Sequence, residues 1–160
     1  HWALTLMNPI TPVLNEVNRI LSSDGRFVAL VDGPMNAASK YSDVHNLIYR
    51  FVQTKLPKYG EIDLGDPRIR SIDRSKKLLH EAFPDAKVNI ETSVVSMEGP
   101  VAEVAETAAG FFYASLILPP DTRRIMLSEL SNLLAISKQS GDLERQGRFS
   151  MPINRLVITK

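Results

Sequence analysis

The apolar positions lay out a chain in which helices and strands alternate. Ile10, Val13, Leu14, Val17, Ile20 and Leu21 recur at helical spacing, with Asn15, Glu16, Asn18 and Arg19 between them. This pattern predicts an amphipathic helix over 10–21. Thr11 is placed to cap it, and Pro12 suits the first turn, where its missing N–H would have no partner anyway. Ser22-Ser23-Asp24-Gly25 closes the helix, with Gly25 expected in a left-handed conformation. The run 26–31 is continuously apolar after Arg26, as expected of a strand covered on both faces. Helix, glycine turn and strand make an α/β unit. Asp32-Gly33-Pro34-Met35-Asn36 then leaves the carboxyl end of the strand, where open α/β sheets place their ligands.

Ser42 is placed to cap a second helix whose stripe is Val44, Leu47, Ile48, Phe51 and Val52, and Pro57 stops it. Residues 57–70, with Pro57, Gly60, Gly65 and Pro67, read as a long connection. A short amphipathic helix over 71–83 is halted by Pro84, and alternation predicts a strand over 88–95. Gly99-Pro100 opens a helical insertion over about 101–140. Its first helix, 101–118, ends at Pro119-Pro120. Asp121 is placed to cap the next, whose apolar face is Ile125, Met126, Leu130, Leu133, Leu134 and Ile136. A last strand covers 153–159. No internal repeat or linker interrupts the chain, so residues 1–160 are read as a single domain.

Charge narrows the choice of function. Nineteen Lys and Arg stand against 18 Asp and Glu, a formal charge of +1, so no basic excess draws the chain to nucleic acid. The cluster Arg68, Arg70, Arg74, Lys76 and Lys77 reads as a solvated helix face. No apolar run reaches the roughly 18 residues of a membrane span, so no membrane partner is expected. The chain has no cysteine, which excludes a disulfide framework, a thiolate metal site and a cysteine nucleophile, and favours the cytoplasm. His1, His45 and His80 are far apart and form no metal-binding spacing, so no metal is expected. P-loop, GxSxG and dinucleotide glycine motifs are all missing, and the eight glycines stand singly. Two clusters keep chemical interest. His45 and Tyr49 lie one helical turn apart, where the imidazole is either an acid–base group or merely solvated. Phe111-Phe112-Tyr113, with Met97 and Met126, either lines an apolar substrate cavity or fills the core.

The stretch Leu14-Asn15-Glu16-Val17-Asn18-Arg19-Ile20-Leu21-Ser22-Ser23-Asp24-Gly25-Arg26-Phe27-Val28 resembles the VLxExxRxLxxGGR segment of class I S-adenosylmethionine-dependent methyltransferases, particularly those acting on small molecules. Asp24 departs from that pattern, standing where the family has the first glycine. His1-Trp2-Ala3-Leu4-Thr5-Leu6-Met7, apolar from the start and without an initiator methionine, resembles the segment that follows the family's strand four. The resemblance implies an α/β fold, the C-terminal portion of a Rossmann-like methyltransferase domain. Strands five, six and seven would form a small mixed sheet in the order 5-7-6, with strand seven antiparallel in the middle. The family's glycine-rich first motif and its acidic residue after strand two have no counterpart here. The chain therefore matches the half that starts just after strand four.

The same resemblance implies methyl transfer from S-adenosylmethionine to a small-molecule acceptor, with most cofactor-binding elements outside this chain. His1 and Trp2 would lie beside the cofactor's methionine end. Met35, Asn36, Tyr41, His45 and Phe112 would face the acceptor, and no catalytic side chain is singled out. The strand-five edge would be open, so a second chain is expected to cover it, either the missing half or a symmetric copy. The competing reading is a non-catalytic interaction or dimerisation module derived from a methyltransferase.

Overall fold

A computed structural model describes residues 3–58, 65–136 and 144–160. In chain order the main elements are α1 (Thr11–Ile20), β1 (Arg26–Asp32), α2 (Tyr41–Lys55), α3 (Ile72–Ala82), β2 (Lys87–Pro100), α4 (Val101–Phe111), α5 (Pro120–Leu134) and β3 (Gln146–Thr159). Short 3-10 turns at Ala3–Leu6, Pro67–Arg70 and Tyr113–Ile117 join them. The strands form a mixed α/β fold's three-stranded sheet in the order β1-β3-β2. β1 runs antiparallel to β3, from Arg26 opposite Thr159 to Asp32 opposite Ile153. On the other side of β3, the side-chain pairs Glu91–Arg155, Thr92–Asn154, Ser96–Ser150 and Glu98–Arg148 climb one strand as they descend the other. β2 is therefore antiparallel to β3 as well.

The chain divides into two compact units. The first comprises His1–Ala37, Asp63–Val94 and Pro152–Lys160. Its core gathers Ile10, Leu14, Ala29, Val31, Ile69, Leu78, Leu79, Phe83, Leu156 and Ile158. Phe27 stacks on Phe83, their ring centroids 6.4 Å apart. α1 begins at Thr11, one residue before the expected start at Pro12, which leaves the proline in its first turn. Thr11 does not cap it: Ile10 holds the cap position, and the Thr11 hydroxyl, on the first helical residue, accepts from the Arg68 guanidinium at 3.1 Å. At the other end Lys160 Nζ donates to the carbonyls of Asn18 and Leu21 at 2.9 and 3.2 Å, which satisfies acceptors the helix leaves open.

Two expectations about this region change. Positive φ is confined, among the described residues, to Lys40 and Gly65, so Gly25 is not left-handed. Glycine is needed at position 25 for space: a Cβ there would lie 2.7 Å from Leu21 Cγ and 2.9 Å from the Ser22 carbonyl. Nor is β1 covered on both faces. Ala29 and Val31 are buried, whereas Val28 is 49% exposed. As an outer strand in an antiparallel pair, β1 needs only one covered face, and an apolar run cannot reveal which side stays open.

The second unit comprises Ala38–Ile62 and Val95–Met151. α4 packs on α5 and α5 on α2, around Val44, Ile48, Val52, Val104, Ala105, Ala108, Met126, Leu130 and Leu134. Small side chains on α4 permit close approach to its neighbour, and Arg123 on α5 pairs with Glu106 on α4. Ser42 does not cap α2. Lys40 precedes the helix in a left-handed conformation, and its Nζ donates to the Leu133 carbonyl at 2.8 Å. α5 starts at Pro120, one residue before the expected cap, which places Asp121 in the first turn, where its charge suits the helix dipole. β2 and β3 are each 14 residues, longer than the alternation at 88–95 and 153–159 implied.

Candidate functional site

In the first unit, the loop that leaves β1 is held by backbone and one buried amide. Asn154, 2% exposed on β3, donates from Nδ2 to the Asp32 carbonyl at 3.2 Å. Its Oδ1 accepts from the Thr92 hydroxyl at 2.7 Å, so both ends of the amide are used. Gly33 N–H donates to the Pro152 carbonyl at 3.0 Å. A Cβ at Gly33 would come within 2.8 Å of the Pro152 carbonyl carbon, so only glycine permits this approach. Ala37 N–H closes the following turn on the Pro34 carbonyl at 2.9 Å. Met35 and Asn36 stand exposed within that turn.

In the second unit, Tyr41, His45 and Tyr49 follow at four-residue spacing along α2 and share one face. The structure brings Tyr41, His45 and Phe112 together. The Phe112 ring lies 5.8 Å from Tyr41 and 5.9 Å, edge-on, from His45. His45 stacks on Tyr49 at 4.2 Å, and its Nδ1 is 3.2 Å from Asn46 Oδ1. Phe149 on β3 completes the cluster, 6.2 Å from Tyr41 and 6.1 Å from Phe111. Tyr41, Phe112 and Phe149 are buried, while His45 and Tyr49 are half-buried. The arrangement is an aromatic wall with one imidazole at its margin. It can pack against a flat or apolar molecule, and the imidazole can exchange a proton with it.

The choice left open for Phe111-Phe112-Tyr113 resolves by position. Phe112 turns inward, whereas Phe111 and Tyr113 are 42% and 58% exposed. Met126 is wholly buried in the helical core. Phe149 lies outside the last strand that the sequence predicts, 153–159, and belongs to the longer β3. The signal was the alternation Phe149, Met151, Ile153.

His1 and Trp2 lie outside the described residues. No group of three or more His, Asp or Glu among the described residues could hold a metal ion. No described helix is long and apolar enough to cross a membrane. The basic cluster borders an open groove of about 360 Å³ lined by Arg68, Arg74, Lys77, Leu78 and Glu81. There Arg68 is bound to Asp66, and Lys77 lies 4.0 Å from Glu81.

The described residues do not fit S-adenosylmethionine on their own. Gly25, Gly33, Gly65 and Gly147 are packed tightly against this chain's own atoms, so these four leave no cradle for a ligand, and Gly99 on β2 and Gly110 on α4, where a Cβ would meet nothing within 4 Å, stand singly. No buried side-chain nitrogen or oxygen among the described residues waits for a partner.

No protein-family model matches the chain, and no curated protein matches it. Similar solved structures exist. One is a protein of Bacillus halodurans C-125 proposed to be a methyltransferase, with TM-score 0.48 and 10% identity, covering 99% of this chain and 61% of its own. Another is the YcgJ protein of Bacillus subtilis, with TM-score 0.48 and 12% identity, covering 100% of this chain and 61% of its own. The chain thus spans about three-fifths of the length of either structure.

Proposed function

We propose that this chain is the substrate-side portion of a class I S-adenosylmethionine-dependent methyltransferase that acts on a small molecule. The observation that carries the reading is the position of β3, antiparallel and between β1 and β2. This is the order 5-7-6 if β1, β2 and β3 stand for strands five, six and seven. The helix–turn–strand at 11–32 supports it, because the residues that resemble the family's segment fall on the matching elements. In this reading the donor is held mainly by a partner half that also pairs with the outer edge of β1. His1 and Trp2 add contacts at the donor's methionine end. Met35 and Asn36 in one unit, and Tyr41, His45 and Phe112 in the other, supply acceptor-side surfaces.

Such a transfer asks the protein for positioning and exclusion of water rather than for a strong acid or base. An aromatic wall with one half-buried imidazole is suited to that task. The test is a calorimetric titration of the chain with S-adenosylmethionine, alone and with a donor-binding half supplied in cis or in trans. Alone, no saturable binding is expected. With the second half, binding and labelled-methyl transfer should appear, and His45→Ala should slow the transfer. Micromolar affinity in the chain alone would overturn this division of labour.

One observation favours the interaction-module reading instead. Phe111, Tyr113, Leu116 and Ile117 are all exposed along the end of α4 and the turn after it. That reading gains if a donor-binding half produces no methyl transfer under any acceptor tested.

A further inference from the structure

β2 is an outer strand of the sheet and is 14 residues long. Globular proteins keep edge strands short or guard them with charge, proline or a covering element, because the open row of N–H and C=O groups is a template for another strand. β2 is weakly guarded. Six consecutive residues, Glu91 to Ser96, are exposed, so neither face of this stretch is covered. Val94 and Val95 at its centre are 46% and 53% exposed.

The two glutamates that could repel a partner are already engaged from within the sheet, Glu91 by Arg155 and Glu98 by Arg148. Between them Thr92-Ser93-Val94-Val95-Ser96-Met97 carries no charge, no proline and no glycine.

We propose that two copies of this chain associate through β2, paired antiparallel to β2 of the second copy about a two-fold axis perpendicular to the sheet. The occupant follows from the edge itself. A two-fold axis must oppose residues on the same face, which permits centring on Val94 or on Val95. Centring on Val94 sets Thr92 against Ser96, Ile90 against Glu98 and Glu91 against Met97. Centring on Val95 sets Glu91 against Gly99 and Glu98 against Thr92. Neither arrangement opposes two carboxylates, so this edge is compatible with itself.

β1 is a poorer match, at seven residues with Arg26 and Asp32 at its ends. A β1–β2 contact would also be heterologous and would continue into open chains rather than close as a dimer. This inference stands apart from the methyltransferase reading and survives its failure.

Sedimentation equilibrium of the full chain tests it. The wild type should be dimeric at micromolar concentration. Val94→Lys should raise the dimer dissociation constant on the order of 30-fold, two lysines being brought to one seam, with an unchanged circular dichroism spectrum. Val28→Lys on β1, at a site 49% exposed, should leave it unchanged. Because the chain has no cysteine, Val94→Cys supplies a second measurement with a short bis-maleimide, and it should give a covalent dimer. A wild type that stays monomeric, a dimer sensitive to Val28→Lys and not to Val94→Lys, or no covalent dimer from Val94→Cys would each overturn the proposal.

Discussion

The two units solve the same packing problem with different chemistry. Of the described buried polar side chains, Thr5, Asp66, Ser75 and Asn154 belong to the first unit and Ser115 alone to the second. In the first, polar groups tie loops and 3-10 turns to regular elements: Ser75 Oγ donates to the Ile69 carbonyl at 2.9 Å, and Asn154 holds the carboxyl end of β1. In the second, stacked and edge-on rings join α2, the end of α4 and β3. Polar pins fix geometry through direction, and they fail when one partner is lost. Rings fix it through area and shape, and they fail when volume is lost.

The largest expected effect breaks the ring side of this comparison. Phe112→Ala removes a ring that touches both Tyr41 and His45 and should cost about 3 kcal/mol of stability, read from denaturant midpoints. Phe112→Leu should recover most of that loss, because volume matters more here than direction. If the leucine variant were as unstable as the alanine one, ring geometry rather than bulk would be the operative property.

The polar side breaks by a different rule. Asn154→Ala leaves the Asp32 carbonyl without its side-chain donor and should cost about 2 kcal/mol. Asn154→Leu preserves bulk, yet it should recover little of this, because the lost item is a directed hydrogen bond. Urea midpoints for the two variants separate these outcomes. Hydrogen exchange at residues 33–37 should rise in both, since that loop is held through Asp32 and Gly33.

The same contrast explains what could be read in advance. α1 and the start of β1 were legible because Pro12, the apolar period and Gly25 are local signals, although Gly25 serves close approach rather than left-handed backbone. The face shared by Tyr41, His45 and Tyr49 was legible from spacing within one helix. Its meeting with Phe112 and Phe149 was not, because tertiary packing brings them from distant parts of the sequence. The extra lengths of β2 and β3 were hidden for a related reason. Residues 96–100 and 146–148 alternate poorly and contain Gly99 and Gly147, and Pro152 interrupts the alternation of Phe149, Met151 and Ile153, yet pairing across strands keeps them extended. Asn154 carries no signal of its own: in sequence it is a polar residue beside Arg155 in a strand, and only the fold supplies its two partners.

Acid should sharpen the comparison further, with a smaller effect. Asp66 is buried, and Arg68 donates to its carboxylate from Nε at 3.0 Å and from the guanidinium NH2 at 2.7 Å. These side-chain bonds, helped by the Arg68 backbone N–H at 3.0 Å and opposed by burial, hold the Asp66 pKa below its ordinary value. Glu91 in the same unit is held low by Arg155, with help from Asn89. A carboxyl with a lower pKa in the folded chain binds its proton more readily when unfolded. Its contribution is therefore present above the ordinary carboxylate range and is lost as pH falls through the depressed folded value. Among the described residues of the second unit the shifted group is Arg123, raised by its bond to Glu106, and it stays charged throughout that range. Acid titration from neutral pH to about pH 3, followed by residue-resolved amide signals, should weaken the region around Asp66 and Arg68 before the rings around Tyr41. Asp66→Asn should lower stability at neutral pH and flatten this acid dependence. If the amides around Tyr41 and Phe112 were lost first, the division between a unit held by polar pins and a unit held by rings would be wrong.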